Sequence, residues 1–121
     1  PIFIKLSPDE DKKIISVILD AIKEFEFDGV ITSNTTINKD NLSYSSRHNL
    51  DGGLSGKPLL SKSNELLKVA HSHDPNLLKV GVGGVDSKES FNSKLDLGAS
   101  LVQIYTSFIY HGPEIVKRLL S

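Results

Sequence analysis

An alternation restricts the fold of this chain more than any other feature. Short apolar runs rich in β-branched residues take turns with helix-like segments four times in 121 residues. Strands that alternate with helices pair in parallel through right-handed crossovers. PIFIKL at 1–6 reads as the first strand. A helix start follows, with Ser7 as cap, Pro8 at the first helical position and Glu10 three residues after the cap. Ile14, Val17, Ile18, Ala21, Ile22 and Phe25 then recur at three- and four-residue steps, one face of an amphipathic helix. VIT at 30–32 is the second strand. A helix resumes near Ser63, buries Leu66, Leu67, Val69 and Ala70, and is broken by DPN at 74–76. The third strand is LKVGV at 78–82, and Asp86 or Ser87 caps a helix that runs through Leu95 and Leu97 to a stop at Gly98. LVQI at 101–104 is the fourth strand, and Gly112 and Pro113 open a last helix with Ile115, Val116, Leu119 and Leu120 inside.

There is no further repeat, low-complexity tract or linker, so the chain reads as one α/β unit. Four βα units are half of an eight-fold barrel, and four strands cannot close that barrel alone. An open four-stranded α/β sheet is the alternative. The half-barrel of a (βα)8 TIM barrel is preferred because the polar and glycine-rich stretches fall just after strand C-termini, where barrel sites are built.

Composition narrows the function classes. Lys and Arg number 14 against 15 Asp and Glu, a formal charge of −1, which leaves no electrostatic footprint for nucleic acid and no polybasic membrane patch. No run is long enough to span a bilayer, and no signal-peptide pattern is present. Cysteine is absent, which excludes disulfides and thiolate metal sites. Methionine is absent too, and Pro1 lies inside an apparent strand, so the chain is expected to be a piece of a longer protein.

The candidate functional residues follow the strands. Lys5 is flanked by Ile4 and Leu6, so its ammonium must meet a partner or reach water at the strand end. SNTT at 33–36 offers donors and acceptors that could read a planar polar ligand, or form an ordinary polar turn. GGLSGKP at 52–58 could present bare backbone to a ligand. The glycine turn at 81–84 and the polar turn after the fourth strand both place free N–H groups at a helix entry, which suits a phosphate. Residues 78–106 are therefore expected to hold the phosphate of a nucleotide-like cofactor, as the loops after strands 7 and 8 do in many barrels. The glycine turn departs from G-x-G-x-x-G and lacks the P-loop lysine, so the recurrence after successive strands carries the case. His71 and His73 do not share a helix face, and with His48 and His111 they form no ligand set; they read as surface histidines, and no metal site is expected. Asp9, Glu10, Asp11, Lys12 and Lys13 read as a solvated first helical turn. No Ser-His-Asp or paired-carboxylate arrangement follows from the spacing.

In combination and in this order, PIFIKLSPD at 1–9, DGVITSNTT at 28–36, GGLSGKPL at 52–59, GVGGV at 81–85 and GASLVQIYT at 98–106 resemble dihydroorotate dehydrogenase. The Tyr105-Thr106 ending and YHGP at 110–113 are similar to the quinone-dependent class 2 form. The resemblance covers nearly the whole chain and implies the C-terminal half of a barrel carrying FMN. It implies oxidation of dihydroorotate to orotate in pyrimidine synthesis, with electrons passed to a quinone. Carried over by position, Lys5 lies near the flavin pyrimidine ring, Ser33 stands where the family usually has Thr, and Gly56 contacts the flavin. Gly84, Tyr105 and Thr106 match the phosphate-binding backbone; Asn34 and Thr35 match residues that hold the orotate ring.

The serine that takes the C5 proton while hydride leaves C6 for flavin N5 belongs, by the same resemblance, before Pro1. So does the helical extension that forms the quinone tunnel and makes the full-length enzyme a peripheral protein of the bacterial or mitochondrial inner membrane. No catalytic residue is assigned within 1–121, and this stretch alone is expected neither to turn over dihydroorotate nor to hold FMN tightly. The rival readings are another FMN-dependent barrel (a class 1 relative or a dihydropyrimidine oxidoreductase) and a non-catalytic phosphate-binding half-barrel that works as a dimer.

Overall fold

Four parallel strands lie side by side in the order in which the chain makes them: β1 (Phe3–Leu6), β2 (Gly29–Thr32), β3 (Leu78–Val82) and β4 (Leu101–Gln103). The computed structural model describes residues 1–40, 42 and 51–121. Between and after the strands run α1 (Lys12–Glu24), a 3-10 turn (Lys57–Leu59) leading into α2 (Leu60–His73), then α3 (Lys88–Asp96), α4 (Thr106–His111) and α5 (Glu114–Leu120). Sequential strand order matters here. Right-handed crossovers that always step the same way put every helix on one face of the sheet, whereas a doubly wound sheet must reverse its order to cover both.

Burial follows that geometry. Leu6 and Val30 pack with Ile15, Leu19, Ile22, Leu66 and Ala70 beneath the helices, and Val85, Ile115 and Leu119 close a second cluster. On the other face, the row that pairs Lys5 with Ile31, Val80 and Leu101 leaves Leu101 63% exposed. Parallel sheets ordinarily have both faces covered, and a face left bare by every helix is the interior wall of a barrel. The fold is a four-unit arc of a singly wound βα barrel, as the alternation predicts.

Several local readings need correction. The first helix begins at Lys12, not at Pro8; Asp11 caps it by accepting a 2.7 Å hydrogen bond from the Lys13 N–H, and no acid lies in its first turn. Its buried stripe is Ile15, Leu19 and Ile22, while Ile14, Val17 and Phe25 are exposed. Two apolar stripes coexist on KKIISVILDAIKE, and only docking on β1, β2 and α2 selects between them. α2 begins at Leu60, three residues before Ser63. The turn after β4 is itself a helix, α4, and α5 buries Ile115 and Leu119 while Leu120 is 69% exposed. Ser87 caps α3 in a reciprocal arrangement with Ser90, and Gly98, at φ +93°, ends it as predicted. No helix among the described residues is long and apolar enough to cross a membrane.

Candidate functional site

The C-terminal ends of all four strands open into one cleft of about 750 Å³. Lys5, Ser33, Asn34, Thr35, Gly56, Gly84, Tyr105 and Thr106, all eight residues singled out from sequence, line it. Parallel pairing accounts for this convergence: in-register strands end at one level, so the loops after them share one rim.

Lys5 occupies the bare face of β1 with its side chain exposed to the cleft, so the strand-end alternative holds and no buried partner is needed. Beyond β2 the peptide between Thr32 and Ser33 is cis. The loop is then pinned at both sides: the Ser33 N–H donates to Val82 O at 3.0 Å and the Asn34 N–H to Leu6 O at 2.7 Å. The Ser33 hydroxyl donates to Asn34 O at 2.8 Å, so its proton is used inside the loop and only its lone pairs remain for a ligand. Asn34 and Thr35 are exposed toward the cleft.

Asp9 fastens this loop from behind. Its carboxylate accepts from Thr36 Oγ1 at 2.5 Å, from the Ile37 N–H at 2.8 Å and from Lys62 Nζ at 3.0 Å. Burial raises the Asp9 pKa, but the bonds from Thr36, Ile37 and Lys62 outweigh it and hold the carboxyl below its ordinary value. The first loop, the second loop and α2 thus share one charged knot. The sequence reading placed Asp9 in a solvated helical turn and missed it. The signal that could have found it is its place three residues beyond β1, close to the rule that selected SNTT.

The glycine loop at 52–56 bridges the cleft. Thr36 and Leu54 exchange backbone bonds, Gly53 lies hard against the Thr35 side chain, and Gly56 faces Thr106. The Thr106 hydroxyl donates to Ser55 Oγ at 3.0 Å. Residues 41 and 43–50, His48 among them, lie outside the described residues.

Gly84 is demanded by space as well as by its φ of +79°: a Cβ there would sit 2.6 Å from Leu60 N and Cα. Gly84 and Val85 line the cleft, and their N–H groups donate to no acceptor among the described residues. The same holds for the Tyr105 N–H, and the Thr106 and Ser107 amides lie in a first helical turn, which has no intrahelical acceptors. Ser107 adds a buried hydroxyl with no hydrogen-bond partner, also lining the cleft. The sequence reading passed over it because nothing distinguishes one serine in a first helical turn from another. Unpaired amides from two neighbouring turns and an orphaned hydroxyl suit an anion.

Of the histidines, His73 is exposed as expected and pairs with Asp20 at 2.9 Å, whereas His71 is half-buried against Gly98 rather than on the surface. No group of three metal-ligating side chains forms among the described residues.

Fold and cleft together define the class: consecutive βα units of a barrel with an anion-ready site at the strand C-termini. A sequence model of the family "Dihydroorotate dehydrogenase" matches residues 1–121, and the chain belongs to that family. Named relatives agree. The chain is 42% identical over its whole length to the dihydroorotate dehydrogenase (quinone) of Idiomarina loihiensis and 44% identical to that of Shewanella pealeana, covering 36% of each. Its fold matches a crystal structure of dihydroorotate dehydrogenase from Eimeria tenella in complex with ferulenol, with a TM-score of 0.90 and 33% identity over 97% of this chain and 31% of that one. The chain spans about a third of the length of the relatives it matches.

Proposed function

We propose that residues 1–121 form the C-terminal half-barrel of a quinone-dependent dihydroorotate dehydrogenase, supplying part of an FMN and orotate site. The observation that carries this reading is the meeting in one cleft of eight residues from the C-terminal ends of four strands and the connections that follow them. In this reading the N-terminal half of the barrel, the serine base, the quinone tunnel and the contact with a membrane are supplied by the longer protein. The "(quinone)" in the relatives' names supports a quinone as final acceptor over the other FMN-dependent barrels.

FMN, when bound, supplies the hydride acceptor. The protein's own contribution is placement and electrostatics. The amides of Gly84, Val85, Tyr105 and Thr106, with the Ser107 hydroxyl, hold the phosphate. Gly56 leaves room for the cofactor where a side chain would crowd Thr106, whose methyl stands 3.1 Å from the position of a Cβ. Ser33 offers its lone pairs to the ring system. Asn34 and Thr35 orient the planar substrate, and the Asp9 knot keeps their loop from moving. Lys5 stabilises negative charge that develops on the ring system during the reaction.

Lys5 gives the sharpest test. In the intact enzyme Lys5→Ala should slow flavin reduction by dihydroorotate about 100-fold, the scale seen when one electrostatic stabiliser is removed. Stability should change by under about 0.5 kcal/mol, because the side chain is exposed. Anaerobic stopped-flow traces of flavin bleaching measure the first and thermal unfolding the second. An unaltered reductive half-reaction defeats the assigned role.

A further inference from the structure

Lys94 is the one buried cation near the cleft among the described residues that the reading above leaves without a task. Its side chain is 0% exposed, and its Nζ donates to Ser63 Oγ at 2.6 Å. The Ser63 hydroxyl has one proton, which lies within reach of Gly83 O at 2.9 Å and Leu60 O at 3.0 Å. The surroundings are shaped for this side chain: a Cβ on Gly81 would stand 3.0 Å from Lys94 Cδ and 3.2 Å from the Ala99 methyl. Among the described residues no carboxylate pairs with the ammonium. Ser63 meets it from α2 and Gly81 of β3 lies against the aliphatic part of the side chain, and neither titrates.

A buried ammonium with one neutral partner is expensive, and its natural compensation is a nearby anion. The route to one is short. Gly83 O and the Gly84 N–H belong to the same peptide unit, and that N–H is one of the unpaired donors at the cleft. A cation that polarises the serine polarises the carbonyl in turn, and a polarised peptide is a stronger N–H donor. We propose that Lys94 is the buried counter-charge for an anion held at the glycine turn, acting through Ser63 and the Gly83–Gly84 peptide as a positioning residue. This rests on the phosphate end of the flavin reading and assigns to it a charge that does not touch the ligand. Burial lowers the Lys94 pKa to about 8, which leaves most of the ammonium charged at neutral pH.

The test separates phosphate from ring. The intact protein, stripped of flavin, is titrated with FMN and with riboflavin, which lacks the phosphate, and binding is followed by fluorescence. Lys94→Met keeps the packing and removes the charge; it should weaken FMN at least tenfold and change riboflavin less than twofold. Ser63→Ala, which breaks the relay but keeps the lysine, should narrow the same FMN-to-riboflavin ratio by a smaller factor. Equal losses for both flavins, the mark of a merely structural role, overturn the proposal, as does an unchanged ratio. If Lys94→Met does not fold, the ratio in Ser63→Ala decides alone. If the wild-type protein binds neither flavin, the flavin reading falls, and inorganic phosphate becomes the probe. A rise in Tm with phosphate that Lys94→Met abolishes then sustains the anion role, and an equal or absent rise ends it.

Discussion

Lys79 and Lys94 are both taken from water almost completely, at 1% and 0% exposure, yet they are treated in opposite ways. Lys79 sits near the start of β3 and donates to three carbonyls of the preceding turn: Asp74 O at 3.0 Å, Pro75 O at 3.2 Å and Leu77 O. Burial lowers its pKa while Asp74 opposes the shift. All three donors of the ammonium are matched inside the protein. Lys94, on α3 but packed against Gly81 toward the other end of that strand, has one partner and no counter-charge among the described residues. The difference sorts the two ends of the barrel arc. At the N-terminal end the buried ammonium of Lys79 is satisfied internally and serves stability; at the C-terminal end donors are left over, and leftover donors are what a ligand uses.

The largest expected effect tests how rigid that C-terminal end is. Gly84→Ala forces a methyl against the Leu60 backbone at a φ of +79°. In the intact protein it should cost about 3 kcal/mol or more of stability and, on the proposed flavin reading, abolish FMN retention. Urea unfolding and gel filtration of the flavin-loaded protein report both, and a loss under about 1 kcal/mol would mean that the turn yields and the contrast between the two ends is overstated.

Next in size, Lys79→Met strands three carbonyls and should destabilise by about 2 kcal/mol. The FMN-to-riboflavin affinity ratio of its folded fraction should match the wild type. A shifted ratio would place Lys79 in the same circuit as Lys94 and erase the distinction.

Smallest is Asp9→Asn, expected to lower stability by about 1 kcal/mol at neutral pH. Because the folded protein holds the Asp9 carboxyl below its ordinary value, this stabilisation is fully present above about pH 4, the unfolded value, and is lost as pH falls through the lower folded value. The gap between wild type and Asp9→Asn should therefore close toward acid in denaturation curves taken from pH 6 down to pH 3. A gap that stays constant with pH shows that the carboxylate is not the group at work.

The sequence was informative where periodicity and turn chemistry act locally. LKVGV reads as a strand, DPN as a break and Ser87 as a cap without help from the rest of the chain, and the structure agrees with each. It misled where two local readings were equally good. SPDE is an acceptable helix start, but Asp9 is drawn away by Thr36 and Lys62, partners 27 and 53 residues distant. KKIISVILDAIKE carries two apolar stripes, and the stripe that faces inward is chosen by the β1 and β2 side chains beneath it. Most candidate ligand-facing residues were recognisable because they follow a strand closely, as SNTT follows β2 and Gly84 follows β3. Lys94 was not, because a lysine on a short polar helix reads as solvated until α2 and β3 are packed around it.

By itself, then, the sequence determined the alternation of strand and helix, the glycines that admit tight turns, and the family to which those motifs belong. Tertiary structure alone decided which charges are buried, which loops touch and which backbone donors are left unpaired. Local propensity depends on neighbours a few residues away along the chain. Burial and hydrogen-bond satisfaction depend on neighbours in space, and parallel crossovers bring those from tens of residues away.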